Sequence, residues 1–175
     1  SKHIGLRKLV GRKKVDIIIG GPPCQAYSVA GRVQDPNGMN YDYRNYLFEK
    51  YLAAVKEFRP KFFLFENVPG ILSAKPGGIS IISRISESFK EIGYSISADM
   101  KKFGLINSAE FGIPQIRRRV FILGINNDEN KKSKNIFSLF FSNLLEKEKS
   151  KRVFNVRDAI GDLPKFFPSN KKGNN

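Results

Sequence analysis

Cysteine and histidine are almost missing from this chain of 175 residues: one of each, Cys24 and His3. A single cysteine excludes an intramolecular disulfide and a multi-cysteine zinc site. A single histidine at the terminus removes most hydrolase triads and most His-rich metal sites. No apolar run approaches the roughly 20 residues that span a bilayer. Ser1 to Lys14 has no apolar h-region of a signal peptide. Acidic residues are scarce as well. There are 16 against 31 Lys and Arg, a formal net charge of +15. An excess this basic points to a polyanionic partner such as nucleic acid. The 15 Phe and 41% hydrophobic residues argue for a folded core rather than disorder. The length suits one domain. The first residue is Ser, so the chain is expected to be trimmed from something longer.

The hydrophobic pattern predicts a series of alternating elements. Val15 to Ile19 is a short branched apolar run, read as a buried strand of a parallel sheet and stopped by Gly20-Gly21-Pro22-Pro23. Ser28 to Arg44 reads as a loop of about 17 residues, long enough to expect a functional role or mobility. Phe48, Tyr51, Leu52, Val55 and Phe58 have helical spacing, and Pro60 follows as a stop. Phe62 to Phe65 is a second strand, closed by Glu66-Asn67-Val68-Pro69-Gly70. Ile82, Ile85, Phe89 and Ile92 mark a second helix with Gly93 as its cap. Tyr94 to Met100 alternates as a third strand, and Arg119 to Ile125 is a fourth. Asn127 to Asn135 reads as a surface loop, Ile136 to Leu145 as an amphipathic helix and Val156 to Leu163 as a short helix. Strand–helix alternation of this kind predicts an α/β domain with a mostly parallel sheet. Ligands of such sheets bind outside the carboxyl ends of the strands.

Three groups of residues fall where chemistry is expected. Cys24 follows a strand, two glycines that allow close approach and two prolines that fix the backbone. Without a usable histidine, its thiol needs backbone amides or a nearby Arg for activation. The bland alternative is a small buried hydrophobe. Glu66 directly follows an apolar strand. There it is expected to be half buried, where burial favours the protonated carboxyl, or else a turn residue satisfied by local amides. In Gln115-Ile116-Arg117-Arg118-Arg119, strand geometry would put Arg117 and Arg119 on one face, suited to phosphate or carbonyl oxygens. A solvated basic patch is the alternative there.

Taken together, Gly21-Pro22-Pro23-Cys24-Gln25-Ala26-Tyr27-Ser28, Glu66-Asn67-Val68 and Gln115-x-Arg117-x-Arg119 resemble the Pro-Cys-Gln, Glu-Asn-Val and Gln-x-Arg-x-Arg motifs of DNA (cytosine-5) methyltransferases, in the family's order. Asn107 to Ile113 and Val156 to Leu163 are similar to the stretches that accompany them. The resemblance covers roughly residues 15 to 165. It implies a partial Rossmann-like S-adenosylmethionine-dependent methyltransferase fold. Residues 1–130 would be the partial catalytic domain, and 131–175 a segment leading toward a target-recognition region.

The resemblance also implies roles. Cys24 would add to carbon 6 of a cytosine flipped out of duplex DNA. Glu66 would hold ring nitrogen 3 and the exocyclic amine. Arg119 would bind the carbonyl at position 2, and Arg117 would support the loop and the backbone phosphate. Pro23 and Leu47 would touch S-adenosylmethionine. Gln25, Ser28, Arg32 and Gln115 would lie along the DNA, with Ser28 to Arg44 as the loop that closes over it. No metal and no membrane are implied; the expected setting is bacterial, cytoplasmic and nucleoid-associated, in restriction-modification. The family's Phe-x-Gly-x-Gly stretch and ribose-binding acid are not in this sequence. The resemblance therefore makes the chain the middle of an enzyme, completed by further segments or by a complementing subunit. A tRNA cytosine-5 methyltransferase and a non-catalytic basic nucleic-acid-binding module stay open beside this reading.

Overall fold

A computed structural model describes residues 5–23, 46–75, 78–97, 100, 104–130 and 136–164. In chain order these form α1 (Leu6–Val10), β1 (Ile17–Gly20), α2 (Tyr46–Phe58), β2 (Phe62–Asn67), a 3-10 turn (Pro69–Leu72) and α3 (Ile81–Glu91). Then follow β3 (Tyr94–Ile96), β4 (Leu105–Asn107), a second 3-10 turn (Ser108–Phe111), β5 (Arg118–Asn126), α4 (Asn127–Asn130), α5 (Ile136–Lys147) and α6 (Val156–Ile160).

The five strands make one sheet in the order β1-β2-β5-β3, with β4 also on β5. β1 and β2 are parallel. β5 is antiparallel to β2, β3 and β4. Four strands therefore run one way and β5 alone runs the other. The sheet is mostly parallel in strand direction, as expected, but β5 is inserted against that direction. The connection from Asn107 to Arg118 is too short for a parallel crossover, which needs a dozen or more residues. β3 and β4 share the edge of β5 that faces away from β2. β4 was not anticipated, and β3 stops at Ile96, short of the expected Met100.

Each face of β2 follows from its alternation. Phe63, Phe65 and Asn67 are buried on one side, while Phe62, Leu64 and Glu66 are half-buried on the other. Tyr51 and Val55 of α2 and Ile81, Ile85 and Phe89 of α3 cover the first side. The Phe63 and Phe89 rings stack with centroids 4.0 Å apart. Phe63 faces Gly124 across the ladder, and a Cβ at position 124 would lie 1.9 Å from the Phe63 ring. Only glycine leaves the ring its place. On the second side, Leu123, Ile125 and Phe141 of α5 pack with Phe62 and Leu64.

The helix boundaries follow local chemistry. α3 opens on Ser80, whose Oγ accepts from the Ser83 amide, and is stopped by Gly93 at φ 82°. α1, within the expected solvated lead-in, buries no residue. Arg7 anchors it, donating to the Glu57 carboxylate and main-chain carbonyl at 3.0 Å each. Two expectations are corrected. β1 is not fully buried: Ile17 and Ile19 are 50% and 67% exposed, because the core lies against the opposite face, through Ile18. Asn127 to Asn130 is a helical turn rather than loop, started by the Asn126 side chain accepting from the Asp128 amide. Among the described residues, no helix is long and apolar enough to cross a membrane.

Tyr51 links α2 to the sheet. Its hydroxyl lies 3.2 Å from the Ile18 carbonyl and 3.1 Å from that of Leu64, so one phenol bridges β1 and β2. Burial pushes its pKa up. Burial also raises Tyr94, whose hydroxyl donates to the Pro60 carbonyl. A phenol with a raised folded pKa contributes fully below the unfolded value of about 10. That contribution is lost as pH climbs toward the folded value. Tyr51→Phe is expected to cost about 1 kcal/mol at neutral pH and to flatten the alkaline fall in stability. Thermal melts of both proteins from neutral to strongly alkaline pH check this.

Candidate active site

The carboxyl ends of β1 and β2 and the start of the antiparallel β5 meet at one edge of the sheet. Glu66 was expected just past the strand, but β2 runs on through Glu66 and Asn67. Its ladder partner is Phe121, and Arg119 lies two residues away on the same face of β5. The Arg119 Nε donates to Glu66 Oε1 at 2.9 Å. Arg119 Nη1 also donates to the Arg118 carbonyl at 2.7 Å. The side chains of Arg119 and Glu66 are 24% and 32% exposed, so the pair is half-buried and open to a ligand. The carboxylate is half-buried, as expected from the sequence, and its partner is a guanidinium rather than local amides.

The segment after β1 is built around this carboxylate. A Cβ on Gly21 would lie 2.7 Å from Glu66 Oε2. Glycine lets the carboxylate rest against the main chain. The neighbouring Pro22 carbonyl accepts from Asn67 Nδ2 at 3.3 Å, and Asn67 Oδ1 accepts from the Val68 amide at 2.9 Å. Asn67 is 3% exposed. The sequence reading gave it no role, although a polar residue at the buried beat of Phe63-Phe65-Asn67 was the available signal.

The other expected residues are placed as follows. Pro23 is exposed at the end of the segment following β1. Cys24, Gln25, Ser28 and Arg32 lie outside the described residues. Leu47 is half-buried in the first turn of α2, on a different element from the ion pair. Gln115 and Arg117 are exposed and precede β5, which begins at Arg118. Of the two arginines expected to share a strand face, only Arg119 is therefore inside the strand. The main chain of Arg117 is held by Asn107 and Ser108. An apolar cavity of about 270 Å³ lies beside the site, lined by Leu64, Ile106, Phe111, Phe121, Phe140 and Leu144. None of the expected site residues lines it.

Chemically, the edge offers an anchored carboxylate, a guanidinium with N–H groups left over for a carbonyl or phosphate oxygen, and a constrained segment leading to the only thiol. Residues 5–175 match the family model for C-5 cytosine-specific DNA methylases. The chain belongs to that family. Among curated relatives, a type II methyltransferase of Bacillus paralicheniformis is 42% identical over 161 residues. That match covers 88% of this chain and 33% of the relative. One from Methanothermobacter thermautotrophicus is 39% identical over 157 residues, covering 88% and 40%. The chain thus spans well under half the length of these relatives. A solved structure described as a DNA modification methyltransferase encoded within an E. coli prophage aligns with a TM-score of 0.61 at 29% identity, covering 90% of this chain and 38% of that one. The fold is that of methyltransferases of this kind.

The contact at Gly21 is a test of the site's construction. Gly21→Ala is expected to swing the Glu66 carboxylate aside and open the 2.9 Å pair with Arg119. Because the obstructed atom ends a flexible side chain, the stability cost should stay below about 1 kcal/mol. A crystal structure and a thermal melt of the variant check both halves.

Proposed function

We propose that this chain is the central catalytic part of an enzyme that methylates carbon 5 of cytosine in duplex DNA, through a covalent adduct at Cys24. The observation that carries the proposal is the Glu66–Arg119 pair, set on the same sheet edge as the segment leading to Cys24. Family membership and the net charge of +15 support DNA as the partner.

In this reading the target cytosine is flipped out of the stack, since its carbon 6 is unreachable within the duplex. The Cys24 thiolate adds to carbon 6, and the ring's electron density moves onto carbon 5. S-adenosylmethionine, when bound, supplies the methyl group that carbon 5 takes up. Water or hydroxide then takes the proton on carbon 5, the ring double bond re-forms, and the Cys24–carbon 6 bond breaks with its electron pair returning to sulfur. Glu66 accepts from the exocyclic amine at one oxygen and shares a proton, taken from solvent, between its other oxygen and ring nitrogen 3, offsetting the negative charge that develops on attack. Arg119 keeps that carboxylate in place and gives a remaining N–H to the carbonyl at position 2. Arg117 supports the loop and a backbone phosphate. Gln25, Ser28, Arg32 and Gln115 lie along the DNA. Leu47, half-buried at the start of α2, and Pro23, exposed after β1, would flank the cofactor. Residues 131–175 lead toward the region that reads the target sequence. Further family segments, in the same polypeptide or a complementing subunit, complete the enzyme.

The test is duplex DNA carrying 5-fluorocytosine, from which the final elimination cannot occur. The longest native form of this gene product should form an adduct stable to denaturation, and Cys24→Ser should form none. An adduct that persists in Cys24→Ser overturns the assignment of the nucleophile. Methyl label appearing in tRNA rather than DNA overturns the substrate. Glu66→Gln is expected to slow methyl transfer about 100-fold. Filter binding of that variant should give a DNA affinity within about threefold of the wild type, because phosphate contacts dominate affinity.

A further inference from the structure

Three arginines in a row, Arg117-Arg118-Arg119, stand where the chain enters β5. Alternation makes their identity ambiguous: a shift of one residue at the start of the strand, such as a bulge, would offer Arg118 to the Glu66 face in place of Arg119. The apolar residues from Val120 onward fix the register deeper in the sheet. They do not by themselves fix the strand's exposed first turn. Something must select which guanidinium meets Glu66.

Asn107 and Ser108 are placed to do so. Asn107 ends β4, and its Oδ1 accepts from the Ala109 amide at 3.4 Å and from the Arg117 amide at 3.2 Å. The next residue holds the other side of Arg117. The Ser108 amide donates to the Arg117 carbonyl at 3.0 Å, and the Ser108 Oγ lies 3.3 Å from the same oxygen. Both main-chain groups of Arg117 are therefore taken by consecutive residues. From that clamp the ladder runs on in step, Asn107 against Arg118 and Ile106 against Arg119. The ten-residue excursion between Asn107 and Arg118 is tied at its base, so its length cannot be exchanged with the strand.

We infer that Asn107 is a positioning residue, which locks the Arg117 peptide and so selects Arg119 as the guanidinium that holds Glu66. Its catalytic consequence rests on the proposed function above. The side-chain oxygen is the working atom, since it receives the Arg117 amide. Asn107→Asp keeps that oxygen, and Asn107→Ala removes it.

The experiment compares these variants, alone and combined with Arg119→Ala, by the single-turnover rate of adduct formation with 5-fluorocytosine duplex. Asn107→Ala is expected to slow adduct formation about 10-fold, the loss of one positioned hydrogen bond. DNA affinity should stay within about twofold, because phosphate contacts set it. Asn107→Asp should recover most of the rate. In the Arg119→Ala background, Asn107→Ala should have no further effect, since coupled residues are non-additive. Equal slowing in both backgrounds means a merely structural role and overturns the inference while leaving the proposed function intact. A crystal structure of Asn107→Ala separates the two ideas independently. If Arg119 Nε still lies within hydrogen-bond distance of Glu66, the positioning role is wrong whatever the activity. If the pair is lost or another arginine replaces Arg119, the positioning role stands even if the wild type forms no adduct, and only the proposed function falls.

Discussion

From Phe62 to Asn67, every residue of β2 faces a residue of β5 running the other way. That one registry sets both the core and the site. It brings Phe63 over Gly124, where the ring can stack on Phe89, and it brings Glu66 opposite Phe121, one pleat from Arg119. A slip of a single residue would turn Phe63 and Phe65 to the other face and drive an apolar side chain where the ring needs space. The packing on the helix-covered face therefore fixes the strand from Val120 onward, and the contacts of Asn107 and Ser108 with Arg117 carry that register out to the polar edge.

The polar edge is built by short contacts between segments far apart in sequence. Glu66 reaches forward to Arg119, Asn67 reaches back to Pro22, and Gly21 makes room for the carboxylate. A half-buried pair of this kind adds little net stability, because part of its Coulomb gain offsets desolvation. Its value is orientation. A carboxylate held by a guanidinium on one side and by main chain on another needs little reorganisation to meet a ligand.

Much of the scaffold was legible because its signals are local. The spacing of Phe48, Tyr51, Leu52, Val55 and Phe58 marks a helix whose observed bounds are Tyr46–Phe58. Gly93 ends α3 because a positive φ suits glycine. The short strand Leu105–Asn107 was invisible, since three residues carry no readable alternation and its partner is elsewhere. Glu66 looked like a residue beyond its strand because a charge after four apolar residues reads as an end. Only the pairing with β5 carries the strand through it. The Glu66–Arg119 contact was likewise hidden. The two residues are named by their motifs, but their meeting depends on the reversed direction of β5, which no periodicity announces. Asn67 and Asn107 act through main-chain carbonyl and amide groups, which leave no mark on the identity of their partners.

Phe63 and Gly124 amount to one side chain's volume shared between two strands. Neither position has a preference of its own that a propensity scale would capture; each is defined by the occupant of the other. A library that randomises position 124 alone will return glycine, which a reader would mistake for a turn or a hinge. A library that randomises both can return inverted solutions, with a small residue at 63 beneath a larger one at 124. Among related sequences, the two columns should change together, and their joint variation would report a packing constraint at a distance of 61 positions along the chain.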